Sequence, residues 1–296
     1  MKRKGVNDIE SLLSELDKQQ LCEFIRVECA NDRHFQQRFL SLGTGFLTSP
    51  KFSDYHARIM DMIEEFGDRH GFVEYSKTFR LNRAICQIID EADIAIQNYQ
   101  WDVAQTILDS IATSGEEILY CGDDSAGELG DILHYCFQKW HELSSDELLP
   151  EGKKSELFEL SLTHFAEGCL KEFDWWWDWI QMAIQLADDE EMQGRIIQEL
   201  DKVINIKGDE WGINYNRQVA QRHKLEIMSK RGTPEEQFKF MCENVSNPDF
   251  RRRLLQMAWD RGDYKEVLRL AVDGATHDSD YAGLVNDWHK WVLKVY

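Results

Sequence analysis

Proline is scarce in this chain: Pro50, Pro150, Pro234 and Pro248 are the only four in 296 residues. Long segments of helix-forming residues with so few breakers argue against a β-rich fold. No run approaches the ~18 uncharged apolar residues of a membrane span. The N-terminal MKRKGVNDIESLL is basic but leads into an acidic amphipathic stretch, not the apolar core of a signal peptide. Cysteine pairing is also missing. Seven cysteines, Cys22, Cys29, Cys86, Cys121, Cys136, Cys169 and Cys242, are odd in number and widely spaced. They suit reduced thiols in a cytoplasm better than a disulfide framework. Catalytic signatures are absent as well: there is no Walker loop, no dinucleotide glycine motif, no Gly-x-Ser-x-Gly and no His-Glu-x-x-His. Positive charge is in deficit, with 34 Lys and Arg against 54 Asp and Glu and a formal net charge of −20. So acidic a surface repels phosphate backbones and anionic membranes, and it favours either plain solubility or a basic partner.

What is present is helical periodicity. Leu81, Ile85, Ile88, Ile89, Ala92 and Ile96 recur at steps of three and four. This is one stripe of a helix, with Arg83, Asp90, Glu91 and Asp93 mostly off it. A polar turn at Asn98–Asp102 leads to a second stripe, Val103, Ile107, Leu108 and Ile111. Together they make an antiparallel helical hairpin. The grammar recurs near the C-terminus. Phe250, Leu254, Leu255 and Ala258 precede Arg261-Gly262-Asp263-Tyr264, and Val267, Leu268 and Leu270 follow. RGDYKEVLRLA parallels NYQWDVAQTIL and is similar to the inter-helix turn of tetratricopeptide-type repeats, without their fixed ~34-residue period.

Helix starts are marked at Thr233-Pro234-Glu235-Glu236, Asn247-Pro248 and Ser49-Pro50, where a capping side chain precedes proline. Breaks fall near Gly43–Pro50, Cys121–Gly130, Ser144–Lys153, Ile206–Gly212 and Arg231–Thr233, with no flexible linker among them. The expected fold is all-α: an irregular α-solenoid of antiparallel helical hairpins, a tetratricopeptide-like or HEAT-like superhelix. It would form a single domain over 1–296 with a soft lobe boundary near 144–153. The last helix carries Leu284, Val285, Trp288, Trp291, Val292 and Val295 up to Tyr296. Solenoids usually end on a polar outer face, so this apolar stripe leads us to expect further chain or a partner against it.

The segment GDDSAGELGD at Gly122–Asp131, the opening IESLLSELDKQQLCEFI and the ending YAGLVNDWHKWVLKV together resemble the α-helical repeat region of bacterial SWIM zinc-finger proteins. The resemblance implies a helical fold beside a zinc module. That module needs Cys-x-Cys and Cys-x-His to surround the metal with four ligands. Neither motif occurs here, so the helical fold carries over and the zinc does not. A nucleic-acid role implied by the module loses that support and stands only as an alternative.

Two local features hold candidate site residues. In the acidic turn, Asp123, Asp124, Ser125, Glu128 and Asp131 supply oxygens, and Gly122, Gly127 and Gly130 loosen the backbone. Hard cations favour such loops, but the EF-hand order fails: Glu128 stands at the sixth position and His134 at the twelfth. The simpler role for Asp124 or Ser125 is to cap the next helix. Asp131 and His134 share a helical face and could contribute to acid–base chemistry or metal binding. Asp123, Asp124, Asp131 and His134 are therefore the metal-ligand candidates of a secondary reading. The second feature is Phe173-Asp174-Trp175-Trp176-Trp177-Asp178-Trp179. On one continuous helix Trp175 and Trp179 would share a face while Trp176 and Trp177 point elsewhere. Either the indoles pack between helix layers, or some line a partner groove. A base-stacking role is disfavoured by Asp174 and Asp178. Trp175, Trp176, Trp177 and Trp179 are the partner-binding candidates. Basic residues at Arg251-Arg252-Arg253, at Arg217, Arg222, Lys224, Lys230 and Arg231, and at Arg26, Arg33 and Arg38 are expected to pair with acidic neighbours, the alternative being a local site for an anion or a peptide carboxylate.

The sequence thus points to a cytoplasmic, non-catalytic protein-interaction scaffold or adaptor. It implies no cofactor and a protein partner of basic character, without direct nucleic-acid or membrane binding. A metal-dependent hydrolase at 123–134, or an accessory module of a SWIM-type nucleic-acid system, are the alternatives.

Overall fold

A computed structural model describes residues 16–33, 35–36, 39, 51–208 and 210–296. The expected break at Gly43–Pro50, the Ser49-Pro50 cap, most of the opening helix, Arg38 and the side chain of Arg231 lie outside the described residues. Among the described residues the fold is all-α, with fourteen helices. In chain order they are α1 (Lys18–Asn31), α2 (Phe52–Phe66), α3 (Tyr75–Gln97), α4 (Trp101–Thr113), α5 (Gly115–Tyr120), α6 (Glu128–Ser144), α7 (Glu151–Glu167) and α8 (Trp176–Leu186). There follow α9 (Glu190–Ile204), α10 (Trp211–Arg231), α11 (Pro234–Glu243), α12 (Pro248–Asp260), α13 (Tyr264–His277) and α14 (Ala282–Val295). The chain divides into two compact units, one ending at Met182 and the other beginning at Ala183. The division falls inside α8. Ser144–Lys153, where the sequence suggested a soft boundary, joins α6 to α7 within the first unit. No helix among the described residues is long and apolar enough to cross a membrane.

In the first unit α3 packs against α2, α4 and α6, and α4 packs against α2 and α6. The predicted stripe residues Leu81, Ile85, Ile88, Ile89 and Ala92 of α3 are buried, as are Val103, Ile107, Leu108 and Ile111 of α4. One residue departs from the pattern. Glu91 was expected off the stripe, yet its side chain is fully buried and faces Arg58 of α2 at 2.8 Å. A helix covered by three neighbours buries a wider sector than a single amphipathic stripe predicts, and a buried carboxylate there requires a cation.

In the second unit each helix from α9 to α14 packs on the next, the nearest-neighbour pattern of helical repeats. Leu225, Phe250, Leu254, Leu255, Val267, Leu270 and Trp288 form its apolar centre, and Leu284, Trp291, Val292 and Val295 pack against it. The apolar stripe of the last helix is therefore used within its own unit. Gly274 makes this possible: a Cβ there would lie 2.7 Å from the Arg251 stem and 3.1 Å from the Trp288 ring.

The two turns that look alike in sequence are alike in structure. Tyr99 and Gly262 occupy the same place and both have positive φ, 59° and 72°. In each turn the following amide reaches back five residues, Gln100 to the Ala95 carbonyl at 2.8 Å and Asp263 to the Ala258 carbonyl at 2.9 Å. This left-handed termination satisfies end carbonyls of the first helix and reverses the chain. Thr233 and Glu236 form the expected reciprocal capping box, and Asn247 caps α12 ahead of Pro248.

Gly194 and Gly262 have open space where a Cβ would stand, but only Gly262 has positive φ. Gly262→Ala should lower the urea midpoint of unfolding by an amount equivalent to about 1–2 kcal/mol, from left-handed strain alone. Gly194→Ala, in the interior of α9, should raise it by about 0.5–1 kcal/mol.

Candidate functional site

The tryptophan tract begins in a turn, not on a helix. Residues 171–175 form turn and bend, and α8 starts at Trp176. Two left-handed residues, Gly168 and Leu170, redirect the chain after α7. The shared face expected for Trp175 and Trp179 therefore does not exist, because helical spacing begins one residue too late. Trp176, Trp177 and Trp179 are 3%, 5% and 0% exposed. The Trp176 ring stacks on Phe165 at 4.4 Å and 5°, and its indole N–H donates to the Phe165 carbonyl. Trp179 is enclosed by Phe137 and Trp140 of α6 and by His164 of α7. His164 in turn shares a 2.6 Å contact with Asp109 of α4. His141 of α6 is joined to Asp178 at 3.0 Å. These three indoles are core anchors between α6, α7 and α8.

Trp175 is the member of the tract that remains half-exposed. It reaches the other candidate feature. A Cβ placed on Gly130 would lie 3.5 Å from the Trp175 ring, so the indole rests over the first turn of α6. Phe173 is 6.1 Å from Trp175 and 5.7 Å from Tyr120, ring centre to ring centre. Tyr120, at the end of α5, is 67% exposed. Exposed Glu116 and Glu117 precede it on the same short helix. The two features chosen from sequence thus adjoin each other. A strip of three aromatic rings, Tyr120, Phe173 and Trp175, runs to the acidic turn.

The turn itself is firmly built. Val73 pairs with Gly122 in an isolated bridge: the Val73 amide donates to the Cys121 carbonyl at 2.7 Å, and the Asp123 amide to the Val73 carbonyl at 3.1 Å. Gly122 is required by this approach, since a Cβ there would lie 2.5 Å from the Val73 oxygen. Its role is close contact, not the looseness read from sequence. Asp124 caps α6 as expected, accepting from the Leu129 and Gly130 amides at 2.7 and 3.1 Å. The Asn82 side chain of α3 donates to the Glu128 carbonyl at 2.7 Å. The Ser125 hydroxyl and amide both donate to Asp123 and hold its carboxyl below the usual range. Asp131 and His134 are exposed on α6. Among the described residues no group of three or more His, Cys, Asp or Glu is arranged to hold a metal ion.

Reactive thiols are not part of this surface. Burial pushes Cys121 up to about 11, against a hydrogen bond that lowers it, and Cys86 and Cys169 rise to about 11 and about 12, again chiefly through burial. Several of the basic residues expected to pair do so: Arg222 with Asp249, Lys224 with Asp201, and Arg252 with Asp249 and Asp287. Arg217 is different and binds backbone carbonyls, as described below.

No family model, curated protein or solved structure matches this chain. The site is accordingly read from its own chemistry.

Sequence reasoning missed Tyr120 and Phe173 as surface members. The signal that could have found them is Gly168, which ends α7 with positive φ, so that the helical spacing is interrupted before the tract. Trp179→Ala should cost about 3–5 kcal/mol in thermal or urea unfolding, whereas Trp175→Ala should change stability by about 0.5 kcal/mol or less. Asp124→Ala should cost about 1 kcal/mol through the lost cap.

Proposed function

We propose that the chain is a non-catalytic protein-interaction scaffold whose first unit docks a basic segment of a protein partner on the strip Tyr120–Phe173–Trp175 and the acidic turn beside it. The observation that carries this reading is the juxtaposition of half-exposed and exposed aromatic rings with Glu116, Glu117, Asp123 and Asp131. Aromatic side chains dominate binding energy where they can be desolvated, and surrounding carboxylates steer a cationic partner and fix its register. The formal charge of −20 adds long-range attraction of the same sign. Helical hairpins stacked on their neighbours supply the rigid surface such a role needs, and an irregular α-solenoid is the architecture we assign to them. Within this reading Trp175 is the anchor, and Trp176, Trp177 and Trp179 act by holding it in place.

The test is a peptide array of Lys- and Arg-rich segments probed with the native chain and with a Tyr120→Ala, Trp175→Ala double variant. A subset of peptides should bind, lose at least tenfold in affinity with the variant, and associate more slowly as salt rises. Equal binding by both proteins, or no basic peptide bound at all, would exclude this face as the docking site.

A further inference from the structure

The second unit contains a cavity of about 450 Å³, within the range of roughly 300–1,000 Å³ typical of small-ligand sites. It lies between α10, the turn before α12, and the junction of α13 with α14. Its rim is aromatic. Trp211 and Tyr215, one turn apart on α10, stack at 5.5 Å and 11°, and Tyr281 stands at the start of α14. Trp211 is 69% exposed and Tyr281 50% exposed, so both rings offer open surface at the mouth.

The interior has one open valence. Two polar side chains of the wall are more than nine-tenths buried, Gln221 and Asp278. Gln221 is engaged at both ends: its amide donates to Asn244 at 2.7 Å and its carbonyl accepts from Asn247 at 3.0 Å. Asp278 is engaged at one. Its Oδ2 accepts from the Trp288 indole at 2.7 Å. Its Oδ1 takes no hydrogen bond among the described residues and stands 4.0 Å from Nε2 of His277, an exposed ring. The nearby cations do not close the gap. Arg251 attracts Asp278 but gives its Nη1 hydrogen to the Leu270 carbonyl, and no ion pair joins the two among the described residues. Arg217, also on the wall, is turned to the α9–α10 loop: Nε donates to the Ile204 carbonyl at 3.2 Å, and Nη2 to those of Ile206 and Gly208 at 2.7 and 3.0 Å. It is a strut for that loop.

A carboxylate oxygen left without a hydrogen bond on a cavity wall is met most strongly by a charged donor, because charge-assisted hydrogen bonds are about twice as strong as neutral ones. Stacked and exposed rings at the mouth favour the same class of ligand through their negative faces. From this geometry we infer that the cavity binds a guanidinium or ammonium group carried on an aliphatic stem, and specifically an arginine or lysine side chain of a peptide. The head group meets Asp278 Oδ1, the stem lies along Trp211 and Tyr215, and neighbouring peptide residues lie on the exposed rim. This inference is independent of the first unit's aromatic strip.

The experiment is calorimetric titration of the full chain with Nα-acetyl-arginine amide, the neutral isostere Nα-acetyl-citrulline amide, an arginine-containing tripeptide, and spermidine. The arginine probe should bind at least tenfold more tightly than the citrulline probe, and the tripeptide more tightly than spermidine. Asp278→Asn keeps an acceptor for Trp288 and should abolish the preference for arginine over citrulline. Trp211→Ala, at an exposed position that leaves folding intact, should weaken all cationic probes severalfold. Equal binding of arginine and citrulline probes, an unchanged preference in a folded Asp278→Asn protein, or tighter binding of spermidine than of the tripeptide would each overturn the proposal.

Discussion

Burial of the Trp179 indole is the constraint on which the candidate surface of the first unit depends. The ring fills the space between Phe137, Trp140 and His164, and so fixes α8 against α6 and α7. A fully buried tryptophan removes more apolar area from water than any other side chain can. Once Trp179 is seated and Trp176 stacks on Phe165, the chain just before α8 has no freedom to bring Trp175 inward. It emerges over Gly130 instead, at the first turn of α6. Core packing thereby positions a surface residue, and the aromatic strip inherits its rigidity from the indoles beneath it.

Scarce cations are used in a consistent way. Arg58 faces buried Glu91, Arg217 holds three loop carbonyls, and Arg251 runs through the second unit's centre past Gly274. Lys139 bridges α6 to Asp93 of α3, and Lys153 bridges α7 to Asp102 of α4. Buried or half-buried ion pairs contribute little net stability, but removing one partner is costly, so they fix the register between helices. These joints draw on both signs of charge, so the excess of 54 acidic over 34 basic residues is still carried by the rest of the chain.

Much of the fold was legible in the sequence because helix pairing obeys short-range rules. The stripes of α3 and α4, the Thr233 and Asn247 caps, and the likeness of Asn98–Trp101 to Arg261–Tyr264 all follow from residue spacing. Tyr99 and Gly262 even share the left-handed conformation. Less of the site was legible. Periodicity assumes a continuous helix, and the turn at 171–175 breaks that assumption, so the face shared by Trp175 and Trp179 was an extrapolation past the helix start. Glu91 was misplaced for a related reason, since spacing reports one buried stripe and α3 has three neighbours. The cavity at Asp278 was not legible at all. Its walls come from three separated segments, and the carboxylate is distinguished by one oxygen without a hydrogen bond, which no local pattern encodes.

The two surfaces differ in what they can discriminate. On the strip of the first unit, the carboxylates are exposed and screened by water and salt, so charge there governs encounter more than final affinity. In the second unit the Asp278 side chain is largely buried and one of its oxygens is held by Trp288, so under the proposal a ligand meets a carboxylate of fixed orientation. A site that aligns a charge-assisted hydrogen bond on a fixed carboxylate separates cationic from neutral ligands more sharply than an exposed, screened patch does. Under the two proposals, attraction of basic segments in general and selection of one cationic side chain in particular are separate tasks that fall to groups of different exposure.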